Sequence, residues 1–193
     1  QFADALKAKA KQGVSVRFLY DEVGCYQLPS EFVVSMAESG VEVYPFNTRK
    51  GSRNRTQINF RNHRKVIVVD GNKSWVGGLN VGEEYLGLDA DIGPWRDTHL
   101  CIDGPATLGM QVSFVEDWHW SADEIIEGLN WNVPMHRGDT GVVVVPSGPA
   151  DSLETAKLMY LQLINAAQRR LWIASPYFVP DESVVSALQL AAL

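Results

Sequence analysis

Long apolar runs are missing from this 193-residue chain. The longest, Val66–Val69 and Val142–Val145, fall far short of the roughly 20 residues that cross a bilayer. No secretory leader stands at its start. The reading is that nothing here inserts into a membrane, although a fragment could have lost such a segment. Cysteine is scarce as well. Cys25 and Cys101 lie too far apart for zinc spacing and read as two buried thiols, compatible with a reducing compartment. The four histidines offer no metal-ligand pattern, and VGGLNVG is not G-x-G-x-x-G, so neither a metal nor a nucleotide cofactor is expected. Acid is absent in one place: between Glu42 and Asp70 there is none. That window holds Arg49, Lys50, Arg53, Arg55, Arg61, Arg64 and Lys65, seven of 17 basic residues in a chain of net charge −6. One basic window in an acidic chain points to a local anionic partner and away from general nucleic-acid affinity.

What is present is ordinary globular composition, 46% hydrophobic and 21% charged, enough for one core or one domain plus part of another. Asp4–Lys11 reads as a helix stopped by Gly13, VSVRFLY as a strand, and Pro29-Ser30-Glu31 as the start of a helix ended by Gly40. Val41–Phe46 is a second strand, making a β-α-β unit with a parallel pair. The basic loop Asn47–Arg61 follows. His63–Asp70 and Ser74–Gly77 flank a turn at Gly71-Asn72-Lys73, and Thr98–Ile102 is a further strand. Pro105–Trp120 has helical spacing, with Leu108, Val112, Phe114, Val115 and Trp118 near one stripe. Trp118, Trp120 and Trp131 read as core packing, with a lipid-facing rim as the alternative. Residues 121–140 form a long connection. Gly141–Val145 and Arg170–Ala174 read as strands around a helix that opens with the capping box Asp151-Ser152-Leu153-Glu154. Glu182–Leu193 is a helix without a stop signal. The spacing A-L-x-x-x-A occurs at Ala5 and again at Ala187, as one period of a duplicated chain would show.

The stretch NHRKVIVVDGNKSWVGGLN, residues 62–80, carries the chemistry. Alternate residues of a strand share a face, so His63 and Lys65 point one way and Asp70 the other. The ammonium disfavours a protonated imidazole and keeps it nucleophilic, and lysine is also a point charge for phosphate. Gly77 and Gly78 admit a ligand or a backbone closely, and Asn80 adds an uncharged donor. A nucleophile, a cation and an amide around one hollow suit phosphoryl transfer through a phosphohistidine. Asp97, in WRDTHL, is placed to accept from the far nitrogen of His63, or to cap a strand end.

HRKVIVVD fits H-x-K-x-x-x-x-D, and with the following Gly-Gly-x-Asn it resembles the phospholipase D superfamily. More narrowly, NHRKVIVVDG…WVGGLNVGEEYLG, PWRDTHLCIDGP and SPYFVPDE resemble bacterial cardiolipin synthases, over essentially the whole chain and most densely over residues 60–104. The resemblance implies an α/β fold: a phospholipase D-like sandwich, a mixed central β-sheet flanked by helices, one repeat of a duplication. It implies a first catalytic domain over 1–140 and the start of a second over 141–193. It makes His63 the nucleophile or its acid partner, Lys65 and Asn80 the phosphate ligands, Asp70 a brace for the backbone and Asp97 the acid bonded to histidine. Gly78, Arg61 and Arg64 join Lys65 and Asn80 in substrate binding. The reaction implied joins two phosphatidylglycerols and releases glycerol, without metal or nucleotide. Anionic phospholipids, the bacterial cytoplasmic membrane surface and a second phospholipase D-like half, or a homodimer mate, are the implied partners. The motif also fits a lipase or nuclease with water as acceptor, and a non-catalytic phospholipid-binding module.

Family enzymes pair two such motifs, one histidine attacking phosphorus and the other protonating the leaving alcohol. Here there is one motif, since His99, His119 and His136 have no lysine two residues on. General acid help is worth about 10²–10⁴ in rate. The expected outcome is that this chain as a monomer turns over phosphatidylglycerol hardly at all while its parent does so readily. Substantial turnover by the purified monomer would overturn the need for two motifs.

Overall fold

The computed structural model describes residues 1–46, 61–133, 135, 138–148, 151–175 and 178–193. The chain forms two compact units, Gln1–Val144 and Val145–Leu193. The basic loop over 47–60, His136 and part of SPYFVPDE lie outside the described residues.

The first unit opens with α1 (Phe2–Lys11), β1 (Val16–Asp21), α2 (Ser30–Glu38) and β2 (Val41–Phe46). Asp4 in the first turn of α1 and Lys9 and Lys11 in its last complement the helix dipole. Gly40, at φ +88°, takes the left-handed conformation that releases the chain from α2 into β2. β1 and β2 pair in parallel from Val16↔Val41 to Asp21↔Phe46, as the β-α-β pattern requires. Then come β3 (Val66–Val69), β4 (Lys73–Gly77), a 3₁₀ turn at Glu84–Leu86, β5 (His99–Asp103) and α3 (Ala106–Ala122). β3, β4 and β5 form an antiparallel sheet in that order. Parallel and antiparallel pairing therefore occur in two small sheets, and α3 packs against strands of both.

The β3–β4 turn lies one residue earlier than its glycine suggests. Asp70 (φ +53°) and Gly71 (φ +67°) are its central residues, and Asn72 N–H closes it on Val69 O at 3.0 Å. Asp-Gly with both φ positive is the pair that matches strand twist in a tight hairpin. Asp70 thus sits in the turn, exposed, and not on a strand face. Its carbonyl accepts from Asn130 Nδ2 at 2.9 Å, and the Asn130 carbonyl accepts from Gln111 of α3 at 2.8 Å. A Cβ on Gly71 would collide with that same carbonyl.

Trp118 centres the core of this unit. It is fully buried, meets Tyr44 of β2 edge-on at 5.2 Å, stacks on Phe114 at 5.9 Å, and has the Arg17 guanidinium of β1 5.8 Å from its ring. The buried face of α3 is Thr107, Met110, Gln111, Ser113 and Trp118, while Val112 is exposed. Hydrogen bonding rotates the helix from its purely apolar stripe: Thr107 Oγ1 bonds Ser74 Oγ at 3.2 Å and the Ile102 carbonyl at 3.2 Å. Trp131 is exposed, and so is Cys101, whereas Cys25 is half-buried; both thiols are free. The expectation of two buried thiols is therefore met at neither position.

The second unit contains α4 (Thr155–Ala166) and α5 (Glu182–Ala191). Lys157 bridges Glu154 Oε2 at 2.8 Å and Asp181 Oδ2 at 2.7 Å, and Asp181 caps α5 by accepting from Val184 N–H. The ion pairs hold the Asp181 carboxyl well below the usual range and Lys157 above its own. The expected capping box is not formed: Asp151 Oδ2 takes Gly148 N–H, and the helix begins only at Thr155. Gly141–Val145, at the end of the first unit, and Arg170–Ala174 form no ladder among the described residues, so the expected strands are not formed. Leu171 and Ile173 instead line a hollow of about 320 Å³ with Phe178 and Leu188. No described helix is long and apolar enough to cross a membrane.

Truncating Trp118 to alanine removes a side chain that joins α3 to β1 and β2. The expected cost is about 3–5 kcal/mol, read as a lowered urea midpoint, with Trp118→Phe retaining more than half of the lost stability.

Candidate active site

Residues 61–65 run extended into β3, and their side chains part to two sides. On one side, Asn62 Nδ2 donates to Asp117 Oδ2 at 2.7 Å and Arg64 Nη1 pairs with Asp117 Oδ1 at 2.5 Å. Asn62 Oδ1 also accepts from Arg64 N–H at 2.9 Å. Asp117 belongs to α3, so this face is fastened to the core helix. On the other side lie Arg61, His63 and Lys65. Arg61 Nε is 3.6 Å from Asp21 Oδ2, at the C-terminal end of β1. Lys65 Nζ rests on the His63 carbonyl at 2.9 Å. The expectation that Arg64 faces an anionic substrate therefore meets a guanidinium turned to Asp117; Arg61 and Lys65 share the histidine's side.

His63 is held below its ordinary value, first by partial burial, then by Lys65 and Arg61, with Asp21 opposing. Lys65 is lowered too, first by burial and then by Arg61, with Asp21 and Asp97 opposing. Burial and the cations thus favour the neutral imidazole, the form that offers a lone pair. His63 is exposed, so it sits on open surface beside the half-buried Lys65.

Asn80 and Asp97 belong to one chain of contacts through two aromatic residues. Asn80 Nδ2 donates to Tyr85 OH, Tyr85 meets Trp95 at 4.8 Å, and Trp95 Nε1 donates to Asp97 Oδ2 at 3.2 Å. Asp97 Oδ1 also accepts from Thr98 N–H at 2.7 Å. No hydrogen bond joins Asp97 to His63; the carboxylate is engaged by Trp95 and Thr98 and faces Lys65 electrostatically. The paired glycines are explained by protein neighbours. A Cβ on Gly77 would strike Thr98 O, and one on Gly78 would strike the Asp97 carboxylate. The space expected for substrate at Gly78 is filled by Asp97. Asp70 lies at the opposite end of β3 from His63, so its bracing of the hairpin is done by its backbone carbonyl.

Three residues of this arrangement escaped the sequence reading. Asp21 carried one available signal, its place at the C-terminal end of a parallel strand, where ligand crevices open. Asp117 and Asn130 carried none, since both act across long sequence separations. Among the described residues, no three His, Cys, Asp or Glu side chains gather as a metal site. The chemistry available is an imidazole whose neutral form is favoured, with the cations Arg61 and Lys65 on its side, which suits attack on a phosphodiester.

A family model described as cardiolipin synthase, PLD-like domain, matches residues 1–99. The chain is 48% identical over 190 residues to cardiolipin synthase A of Pseudomonas fluorescens Pf-5, covering 97% of this chain and 39% of that protein. Cardiolipin synthase A of Pseudomonas aeruginosa LESB58 is likewise 48% identical, with 97% and 38% covered, and that of Pseudomonas putida W619 is 47% identical, with 97% and 39% covered. The chain thus spans about two fifths of the length of these curated relatives.

Removing the Asp117 carboxylate takes away an acceptor shared by Asn62 and Arg64. Asp117→Ala is expected to cost about 1–3 kcal/mol of unfolding free energy. Paired with Asn62→Ala, it should be clearly non-additive in a double-mutant cycle; simple additivity would separate the two residues.

Proposed function

The chain belongs to the phospholipase D-like cardiolipin synthase family, and on that premise we propose that it is the part of a cardiolipin synthase bearing the first catalytic motif. Residues 1–140 are its first phospholipase D-like domain and residues 141–193 begin the second. The substrates are two phosphatidylglycerol molecules presented at the cytoplasmic membrane surface, and the remainder of the parent chain supplies the second motif.

In the first step a ring nitrogen of His63 attacks phosphorus. A P–N bond forms, the P–O bond to the headgroup glycerol breaks, and glycerol leaves with a proton from the second motif's acid. In the second step the terminal hydroxyl of another phosphatidylglycerol attacks phosphorus, its proton returns to the second motif's now deprotonated group, and the P–N bond breaks to restore His63. One phosphodiester is consumed and one made, so no external energy source enters. Lys65 exchanges its bond to the His63 carbonyl for a phosphoryl oxygen, Arg61 adds a second cation, and Asn80 donates its amide. Asp97 lies beside Lys65 and tempers its charge.

What supports this reading is the placing of His63 on the same side as Lys65 and Arg61 within the family's motif, where burial and those cations favour its neutral form. The test uses the full-length parent with labelled phosphatidylglycerol vesicles. His63→Ala should abolish acid-labile label on the protein and lower cardiolipin formation by more than about 10³-fold, Lys65→Ala by about 10²-fold. Where His63 is the attacking base, its neutral form is the active one. Its lowered pKa then places the acid limb of activity below the ordinary 6.5. Phosphatidic acid in place of cardiolipin would mark a hydrolase, and vesicle binding without trapped label a binding module.

A further inference from the structure

Among the described residues, two acids from other parts of the chain act on the basic side of the 61–65 segment, Asp21 on Arg61, His63 and Lys65 and Asp97 on Lys65. Asp21 ends β1, and its side chain is largely buried, with 13% exposure, against 36% for Arg61. The loop after β1 is folded around this carboxylate. Val23 N–H donates to Oδ1 at 3.2 Å, and Gly24 comes so near that a Cβ there would lie 2.8 Å from Oδ2. With Oδ1 held by the backbone, Oδ2 is aimed at Arg61. A parallel strand end is where a chain can offer a side chain to a crevice, because the following loop leaves the sheet there.

We propose that Asp21 is a positioning residue of the active site, anchoring Arg61 and, through that anchored charge and its own, setting how readily His63 takes up a proton. This deepens the phosphatidyl-transfer reading and rests on it for its catalytic meaning. The groups facing His63 are Lys65 and Arg61 from its own segment and Asp21 from β1, while Asp97, from the approach to β5, acts on Lys65. Two cations beside an imidazole drive it neutral but also drive the segment apart. One buried carboxylate offsets part of both effects while leaving the group net positive for an anion.

The experiment is histidine NMR on the full-length parent, with the His63 resonance assigned by its loss in His63→Ala, compared for the wild type, Asp21→Asn and Asp21→Glu. Removing the Asp21 charge should lower the His63 pKa by about half a unit or more, and glutamate should largely restore it. Arg61→Gln should move it the opposite way, and serves if Asp21→Asn fails to fold. In turnover, the acid limb of Asp21→Asn should shift to lower pH. A folded Asp21→Asn variant with unchanged His63 titration, or loss of activity at every pH without a shifted limb, overturns the proposal. Absence of phosphatidyl transfer in the wild type would instead strike the functional reading, and the titration result would still decide the role of Asp21.

Discussion

The site depends on one geometric constraint: an extended segment shows successive side chains to opposite sides. Over 61–65 this alternation is what separates structure from chemistry. Asn62 and Arg64 go to Asp117 on α3, and Arg61, His63 and Lys65 go to the surface. The two sets cannot be exchanged. A shift of one residue would present Asn62 and Arg64 outward and bury a histidine and a lysine against a single carboxylate. Fastening the inward set with a two-oxygen acceptor fixes the outward set without touching it.

The same economy governs both ends of the hairpin. At the turn, Asn130 links the Asp70 carbonyl to Gln111 of α3, and Gly71 leaves the room that link needs. At the other end, Gly78 leaves room for the Asp97 carboxylate, which holds Trp95 and through it Tyr85 and Asn80. Glycines that look like openings for a ligand are here the places where the protein approaches itself. The hairpin is thereby fastened at both ends by contacts within the protein.

Local features were legible in the sequence. The helices and strands of the first unit lie within a few residues of where periodicity put them, because amphipathic spacing and glycine stops act locally. Long-range choices were not. Nothing near Asp97 in sequence reveals that Trp95 and Thr98 occupy its oxygens, and nothing near Arg64 reveals Asp117, 53 residues on. The stripe on α3 was misjudged because buried Thr107 and Gln111 are hydrogen-bonded, which makes polar residues as good at facing the core as apolar ones. GVVVV and RLWIA have strand composition, but composition supplies no neighbour to pair with.

Charge balance explains why an acidic chain can hold a basic site. Anions bind where cations are left underpaired, yet underpaired cations repel one another and weaken the fold that presents them. The described site lies between these limits. Asp117 takes Arg64 out of the anion-facing set, and Asp21 contacts Arg61 at 3.6 Å, longer than a tight bidentate pair. Lys65 rests on a neutral carbonyl, and its nearest acid influences are weaker than its burial. A carboxylate bonded closely to each cation would stabilise the segment more and leave a phosphate nothing to gain. With Asp21 set back from Arg61 and Asp97 engaged by Trp95 and Thr98, the arrangement gives up some stability, and the charge left over is of the sign that attracts an anion.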